Sequence, residues 1–403
     1  MIKNMRIALI TASERPIPAT KGGATQTMMT HLIDVNEEYG EHHFFIFSYY
    51  DYLAYSKSKE YKHTSFYYYK PNAKMDKLQN LFWRMMRKLS AEQIYLRSNF
   101  IKWCVNTISK EHYDIVILEG QCFHTQYMRQ LYKGPLILHM HIDRLNNELK
   151  STKDIINCCD GLFAISEFCK RRMTNVVPCA SEKIIVVRNT VDTDRFSRRG
   201  RKNAALAIRN KAGVKPNQKL ISYCGRIVPD KGVLELVKAM VLLNDSNLKL
   251  MIIGSSVYAG SKKNDYILKV EKEAKKICGG ALFTGYIEQS KLPNYLSGSD
   301  ITVIPSLCRE AAGNVTLEAL GCEVPVIASS QGGIPEYADT MACRLVNCDE
   351  HFIENLAKEI HELAYNEKLY SSLKFHAREV AVAYNKYNYY RNFIHAVNSI
   401  LNQ

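Results

Sequence analysis

The sequence contains no apolar run approaching the ~20 residues that a membrane-crossing helix needs. Its longest early apolar stretch, Ile7 to Ile10, is soon cut short by Ser13-Glu14-Arg15. That stretch reads as a first β-strand, and the chain as non-secreted and cytoplasmic. The 12 cysteines form no Cys-x-x-Cys pair and keep no regular spacing, and Cys158, Cys224 and Cys322 lie in or beside apolar runs. A free thiol there behaves as a small hydrophobe, so a reducing compartment is expected and a structural zinc is not. Acid is short as well: 54 Lys and Arg face 40 Asp and Glu, a formal charge of +14. Such a balance admits nucleic acid, an anionic membrane or phosphorylated substrates as partners. Nearly half of the excess falls between residues 51 and 100, where ten Lys or Arg stand against four acids.

With 403 residues and 46% hydrophobic content the chain fills two cores of ordinary size, since a single core stops growing near ~250 residues. Strands are predicted at Arg6 to Ile10, His43 to Phe47, Asp114 to Leu118, Leu136 to His141, Leu162 to Ile165 and Lys183 to Val187. The series restarts at Lys219 to Tyr223, Lys249 to Ile253, Leu282 to Thr284, Ile301 to Ile304 and Val324 to Ala328. Helical patterns alternate with these runs, which implies an α/β fold with two parallel sheets, one per domain. The charged interruption Arg198 to Lys202, ahead of Pro216-Asn217, marks the junction. The expected organisation is a first domain over 1–192, a linker over 193–217, a second domain over 218–384 and a terminal helix over 385–403. That helix either finishes the second domain or crosses back onto the first.

Asp300 to Glu336 is the most informative stretch: a strand ending at Ser306, a loop carrying Glu310, a helix starting near Asn314 after Gly313 and carrying Glu318, then Pro325-Val326-Ile327-Ala328 and Gly332-Gly333-Ile334-Pro335-Glu336. The backbone N–H groups of Gly313, Asn314 and Val315 at such a start favour an anion. Glu318, one turn into the helix, is placed for a neutral hydroxylated group such as a ribose. Gly225 to Gly232 follows the first strand of the second series and carries Arg226 and Lys231. A fork and a point charge in one loop can bracket a diphosphate, although loop cations are most often only solvated. After the first strand, Lys21-Gly22-Gly23-Ala24 lets backbone approach a phosphate or sugar closely, or is simply a tight turn.

Taken together, Glu310 and Glu318 with the Pro-Val-Ile-Ala and Gly-Gly-x-x-Glu runs resemble the signature of retaining family 4 glycosyltransferases of the GT-B fold. The resemblance implies two Rossmann-like domains with parallel sheets facing a central cleft. It assigns the ribose to Glu318, the donor sugar to Glu310 and His141, the leaving nucleoside diphosphate to Arg226 and Lys231, and the cleft mouth to Gly22 and Gly23. Gly285-Tyr286-Ile287 matches where such enzymes receive the base, so Tyr286 or Ile287 covers it or else packs in the core. Asn189-Thr190-Val191-Asp192 with Phe196 resembles the interdomain stretch, and Ser166-Glu167 reads as a helix N-cap. The implied substrates are a nucleotide-sugar donor, with uridine as the base by family frequency, and a glycan or lipid-linked acceptor. The nucleotide sugar is itself a substrate, so no cofactor is expected.

Two rival readings use the same residues. His139, His141 and Asp143 share one face of an extended strand and invite a metal-dependent hydrolase, but Arg144 stands where the corresponding motif has its last His. Asp192-Thr193-Asp194 imitates the metal motif of the other large glycosyltransferase architecture, yet it falls in the interdomain pattern, and the cations Arg226 and Lys231 already answer the phosphates. No metal is therefore expected. A nucleic-acid binder fits the charge but not any recognised basic module, so nucleic acid is not expected as a partner. Finally, Lys77 to Trp103 mixes large apolar residues with Arg84, Arg87, Lys88, Arg97 and Lys102. It reads equally as a domain helix or as an interfacial helix that attaches the protein to an anionic cytoplasmic membrane.

Overall fold

The computed structural model describes residues 4–11, 13–71, 78, 81–82, 85, 98–255 and 265–402, and these divide into two compact units, 1–189 with 386–403 and 190–385. In the first unit the strands are β1 (Arg6–Ile10), β2 (His43–Tyr49), β3 (Thr64–Tyr69), β4 (Ile115–Glu119), β5 (Leu136–Met140), β6 (Gly161–Ala164) and β7 (Ile184–Val186). They pair in parallel in the order β3-β2-β1-β4-β5-β6-β7. Strands covered on both faces are largely apolar, and β4 and β5 are buried over their whole length, with Glu119 and His139 as their polar members,. β3, a sheet edge that sequence reading did not predict, is half-buried and built of Thr, Ser, Phe and Tyr.

Helix Lys386–Leu401 belongs to this first unit, where Tyr389, Phe393 and Val397 join Ile7, Leu9, Met28 and Leu32 in one core. The terminal segment therefore crosses back onto the first domain. Of the segment 77–103, most residues, among them Trp83, Arg84, Arg87 and Lys88, lie outside the described residues. Its end is helix Asn99–Ile108, in which Phe100 and Ile101 are buried. Trp103 packs beside Phe47 and Tyr69, with ring centroids 6.0 and 5.5 Å away. Those three apolar groups serve the core rather than an outer face.

In the second unit β8 (Lys219–Cys224), β9 (Leu248–Ile253), β10 (Ala281–Gly285), β11 (Ile301–Ile304), β12 (Val326–Ser329) and β13 (Cys343–Val346) pair in the order β10-β9-β8-β11-β12-β13. Strand alternation divides the core in two. Ile221, Tyr223, Leu250, Ile252 and Val303 face the layer that includes helices Val233–Leu243 and Phe352–Tyr365. Leu220, Met251, Ile253 and Val326 face the layer that includes helices Lys202–Lys211 and Asn314–Gly321. The stretch 193–217, expected as a linker, thus lies inside the second unit, because Phe196 and Ile208 are buried in its core. Both sheets reverse direction at their first strand, with β1 between β2 and β4 and β8 between β9 and β11. Such a switch point opens a crevice at the carboxyl ends of the strands.

Candidate active site

At the switch point of the second sheet, β8 ends at Cys224 and the chain passes through Gly225 to Gly232 into helix Val233–Leu243. Pro229 opens a single 3-10 turn, Pro229–Lys231, which Gly232 closes at φ +65. A Cβ on Gly232 would lie 1.8 Å from the carbonyl oxygen of Pro305, so only glycine lets this loop meet the end of β11,. The contact is then sealed by backbone: Leu307 and Cys308 each donate an N–H to the Asp230 carbonyl at 3.0 Å. The Gly-Gly-x-x-Glu run supplies the third loop. Gly333 N–H donates to the Glu310 carbonyl at 2.7 Å. Gly332 holds φ +60, where a Cβ would stand 2.3 Å from that same oxygen.

This weaving brings Lys231 and Glu310 together, with Nζ 2.5 Å from Oε1. Ser306 Oγ donates to the same carboxylate oxygen at 2.7 Å. The side chains are 17% and 25% exposed, so the pair is sheltered but reachable. Sequence reading placed the two residues at one site in separate roles and did not foresee that each would be the other's partner.

Alongside them lies a pocket of about 270 Å³ lined by Gly225, Arg226, Gly254, Tyr286, Ile287 and Glu318, among others. Arg226 is exposed at its rim, and Tyr286 is 50% exposed. Tyr286 and Ile287 are thereby assigned to a cavity wall. Gly313 caps helix Asn314–Gly321 with no side-chain hydrogen bond. Burial pushes the Glu318 carboxyl up to about 7, with Arg195 pulling weakly the other way,.

In the first unit Gly22 and Gly23, at φ +66 and +108, lead into helix Ala24–Tyr39. Lys21 Nζ is held by Asp51 Oδ2 at 2.7 Å. Ser166 Oγ accepts from the Cys169 N–H at 3.1 Å, the expected N-cap. Glu119, the last residue of β4, stands opposite His139 in the β4–β5 register. Its Oε2 is 2.6 Å from His141 Nε2 and 3.2 Å from His139 Nδ1. Burial raises the Glu119 carboxyl, but the two imidazoles more than reverse this and bring it down to about 2. Burial lowers His141, as does His139, while Glu119 opposes them.

Among the described residues these three form the group whose metal-ligating atoms lie within 4.8 Å of one another. Two donors on a tetrahedral ion at ~2.0–2.1 Å would stand ~3.3 Å apart, whereas the His141 contact at 2.6 Å is a charge-assisted hydrogen bond,. Asp143 does not join them. It is paired with Arg172 Nε at 2.8 Å, and Arg144 lies over the Phe123 ring, so the His139/His141/Asp143 metal constellation is not formed. Asp192 Oδ1 accepts the N–H groups of Asp194 and Arg195 at 3.1 and 3.0 Å, which makes the Asp-x-Asp run a local turn. Glu119 was missed at the level of sequence. Its one signal is an acid ending the apolar run Ile-Val-Ile-Leu before Gly120.

Residues 205–380 match the model of the family described as glycosyl transferases group 1. Lipopolysaccharide 1,2-N-acetylglucosaminetransferase of Salmonella typhimurium is 29% identical over 227 residues, 55% of this chain and 56% of that protein. Alpha-maltose-1-phosphate synthase of Mycobacterium tuberculosis is 30% identical over 194 residues, 47% of this chain and 49% of that protein. The chain thus aligns with about half the length of these curated relatives. In three dimensions it is similar over 98% of its length, and 100% of the other chain, to the crystal structure of Anabaena HepE in complex with UDP and glucose, with a TM-score of 0.72 at 17% identity.

Proposed function

We propose that this chain, which has the GT-B fold of glycosyltransferases and a glycosyl transferases group 1 domain in its second unit, moves a sugar from a nucleoside diphosphate donor to a glycan or lipid-linked glycan with retention of anomeric configuration. The observation that carries the reading is the convergence of Arg226, the Lys231–Glu310 pair and the Glu318 pocket at the strand ends beside one sheet switch point. A diphosphate needs cations, a ribose needs an acceptor, and a base needs a wall. Tyr286 and Ile287 supply that wall, Glu318 accepts from the ribose hydroxyls, and Arg226 meets the diphosphate by its fork. Lys231 has three N–H groups, so it reaches a phosphate oxygen while keeping Glu310. The other oxygen of Glu310 is then left for a sugar hydroxyl.

Charge developing on the departing diphosphate is met by Arg226, Lys231 and the backbone N–H groups of Gly313 to Val315, the kind of electrostatic help that commonly dominates catalysis. In the first unit, His141 is assigned to the donor sugar and Gly22-Gly23 to close backbone approach. No carboxylate is assigned as a nucleophile, so departure and attack on the same face is the proposed route. The donor is proposed to carry uridine, catalysis to need no metal, and the protein to work at an anionic membrane surface without binding nucleic acid.

A donor screen by mass spectrometry with UDP-glucose, UDP-galactose, UDP-N-acetylglucosamine and deoxysugar nucleotides tests this reading, with and without EDTA. One donor is expected to be consumed with release of UDP, and EDTA to change nothing. Absence of both turnover and calorimetric binding with every nucleotide sugar would defeat the reading. Activity lost in EDTA and restored by a divalent cation would defeat its metal-free part. Flotation on anionic but not neutral vesicles, and no salt-sensitive retention of DNA or RNA on filters, are the matching expectations for the partners.

A further inference from the structure

Glu119, His139 and His141 form a cluster whose hydrogens can be placed by elimination. His139 is fully buried, and its Nε2 has no hydrogen-bond partner among the described residues. Phe163 and Phe393 stand beside its ring, at centroid distances of 5.6 and 6.2 Å. A proton on that nitrogen would be a buried, unsatisfied donor. His139 is therefore neutral and carries its proton on Nδ1, where the Glu119 carboxylate accepts it at 3.2 Å. A carboxylate accepts and does not donate, so His141, 2.6 Å away through Nε2, must carry its proton on that nitrogen. The tautomer of His141 follows: Nε2–H is committed to Glu119, and Nδ1 is the nitrogen with a lone pair to offer.

We infer that Glu119 is a positioning residue which, braced by His139, locks His141 as the Nε2–H tautomer and presents its Nδ1 as a hydrogen-bond acceptor, the form suited to a hydroxyl of a bound sugar. The inference about the ligand rests on the reading of His141 given above; the tautomer does not. The arrangement uses both oxygen-facing donors. His139 supplies no reachable atom, being wholly buried, and acts by filling the other side of Glu119 Oε2, so that the carboxylate cannot rotate away from His141. The side chain of His141 is 8% exposed, so it is the reachable member of the cluster, whereas Glu119 and His139 are closed off. The second-strand partner is fixed by register, since Glu119 and His139 are neighbours across β4 and β5. A ring held on one side by a carboxylate keeps its tautomer and orientation before a ligand arrives, as in the His–Asp couples of hydrolases.

The test uses the full chain with 15N-labelled histidine, and two-bond proton–nitrogen spectra near pH 7.5 assigned with His141→Gln. Wild-type His141 is expected to be protonated at Nε2 and bare at Nδ1, and Glu119→Gln to yield a mixture of tautomers. A wild-type His141 protonated at Nδ1, or on both nitrogens, overturns the inference even if Glu119→Gln does not fold. A tautomer unchanged in Glu119→Gln overturns it too, as does one equivalent of zinc taken up by wild type and shifting both imidazoles. With the donor identified by the screen above, Glu119→Gln should lower kcat by about 10-fold, what one misplaced hydrogen bond costs at the transition state. The donor KM should stay within about threefold, and Glu119→Asp should restore part of the rate. If His141→Ala turns over normally while the tautomer is as stated, the reading of His141 fails and the locking by Glu119 stands.

Discussion

Glu318 links the proposed nucleotide pocket to the stability of the second unit through pH. Its carboxyl is raised from 4.5 to about 7 by burial, the largest cause, with Arg195 offsetting part of it. A group whose folded pKa lies above its unfolded one contributes stability that is complete below about 4.5 and is lost as pH rises through about 7,. At ~1.4 kcal/mol per unit the full shift corresponds to roughly 3 kcal/mol, and partial exposure of the residue reduces this to about 2 kcal/mol. Glu318→Gln removes the titration, so above pH 7.5 the variant should be more stable than wild type by about 2 kcal/mol, a rise of roughly 4–8 °C in the melting of a unit this size. Below pH 4.5 the two should melt together. Saturating UDP should narrow the gap, because ribose hydroxyls donate to the ionised carboxylate and only wild type has one. Thermal scans from pH 4 to 8.5, with and without UDP, make the comparison. A variant that is less stable than wild type at pH 8 would refute the reasoning, since it would mean that the ionised carboxylate is well solvated or well paired in the folded state.

Interior strands were legible because a parallel strand buried on both faces is a nearly continuous apolar run, as in Ile-Val-Ile-Leu of β4 and Val-Ile-Ala of β12. Both strands missed outright, β3 and β13, are sheet edges. An edge is only half covered, so Ser65, Tyr67 and Arg344 sit in them without penalty and blur the pattern,. The domain junction was misplaced for a different reason. Arg198 to Lys202 looked like a solvated break, but Arg201 Nη1 donates to Asn294 Oδ1, and nearby Arg209 Nη1 donates to Asp300 Oδ2, each at 2.7 Å. Those partners lie about ninety residues on, beyond the reach of any local pattern. The site shows the same division. Arg226, Lys231, Glu310 and Glu318 were visible as types in motifs, whereas the Lys231–Glu310 contact and the placing of Glu119 between two imidazoles arise only when loops from separate strands meet.

Three further outcomes follow from these contacts. Gly232→Ala should cost more than about 2 kcal/mol in denaturant unfolding, because the left-handed turn and the Pro305 carbonyl both oppose a side chain,; unchanged stability would mean that the two loops can separate freely. Arg172→Met should destabilise the first unit by about 1–3 kcal/mol through the stranded Asp143,, yet leave turnover within about twofold, and a loss of activity without a loss of stability would reopen a chemical role for Asp143. The sheltered pair in the second unit gives a prediction about coupling. Lys231→Ala and Arg226→Ala should each lower kcat/KM by about 10²-fold if one charged contact is worth ~3 kcal/mol at the transition state. Lys231→Ala, however, also leaves the Glu310 carboxylate without its cation beside the incoming diphosphate, with the Ser306 hydrogen bond remaining. Glu310→Gln removes that repulsion while keeping the shape, so UDP binding by the double variant should recover about 1–2 kcal/mol of what Lys231→Ala alone loses. Arg226→Ala has no such dependence on residue 310 and should combine additively with Glu310→Gln. Calorimetric titration of UDP into the six proteins decides between these outcomes. Additivity within about 0.5 kcal/mol in both cycles would show that Lys231 meets phosphate independently of Glu310, and the joint role given to the pair would fall.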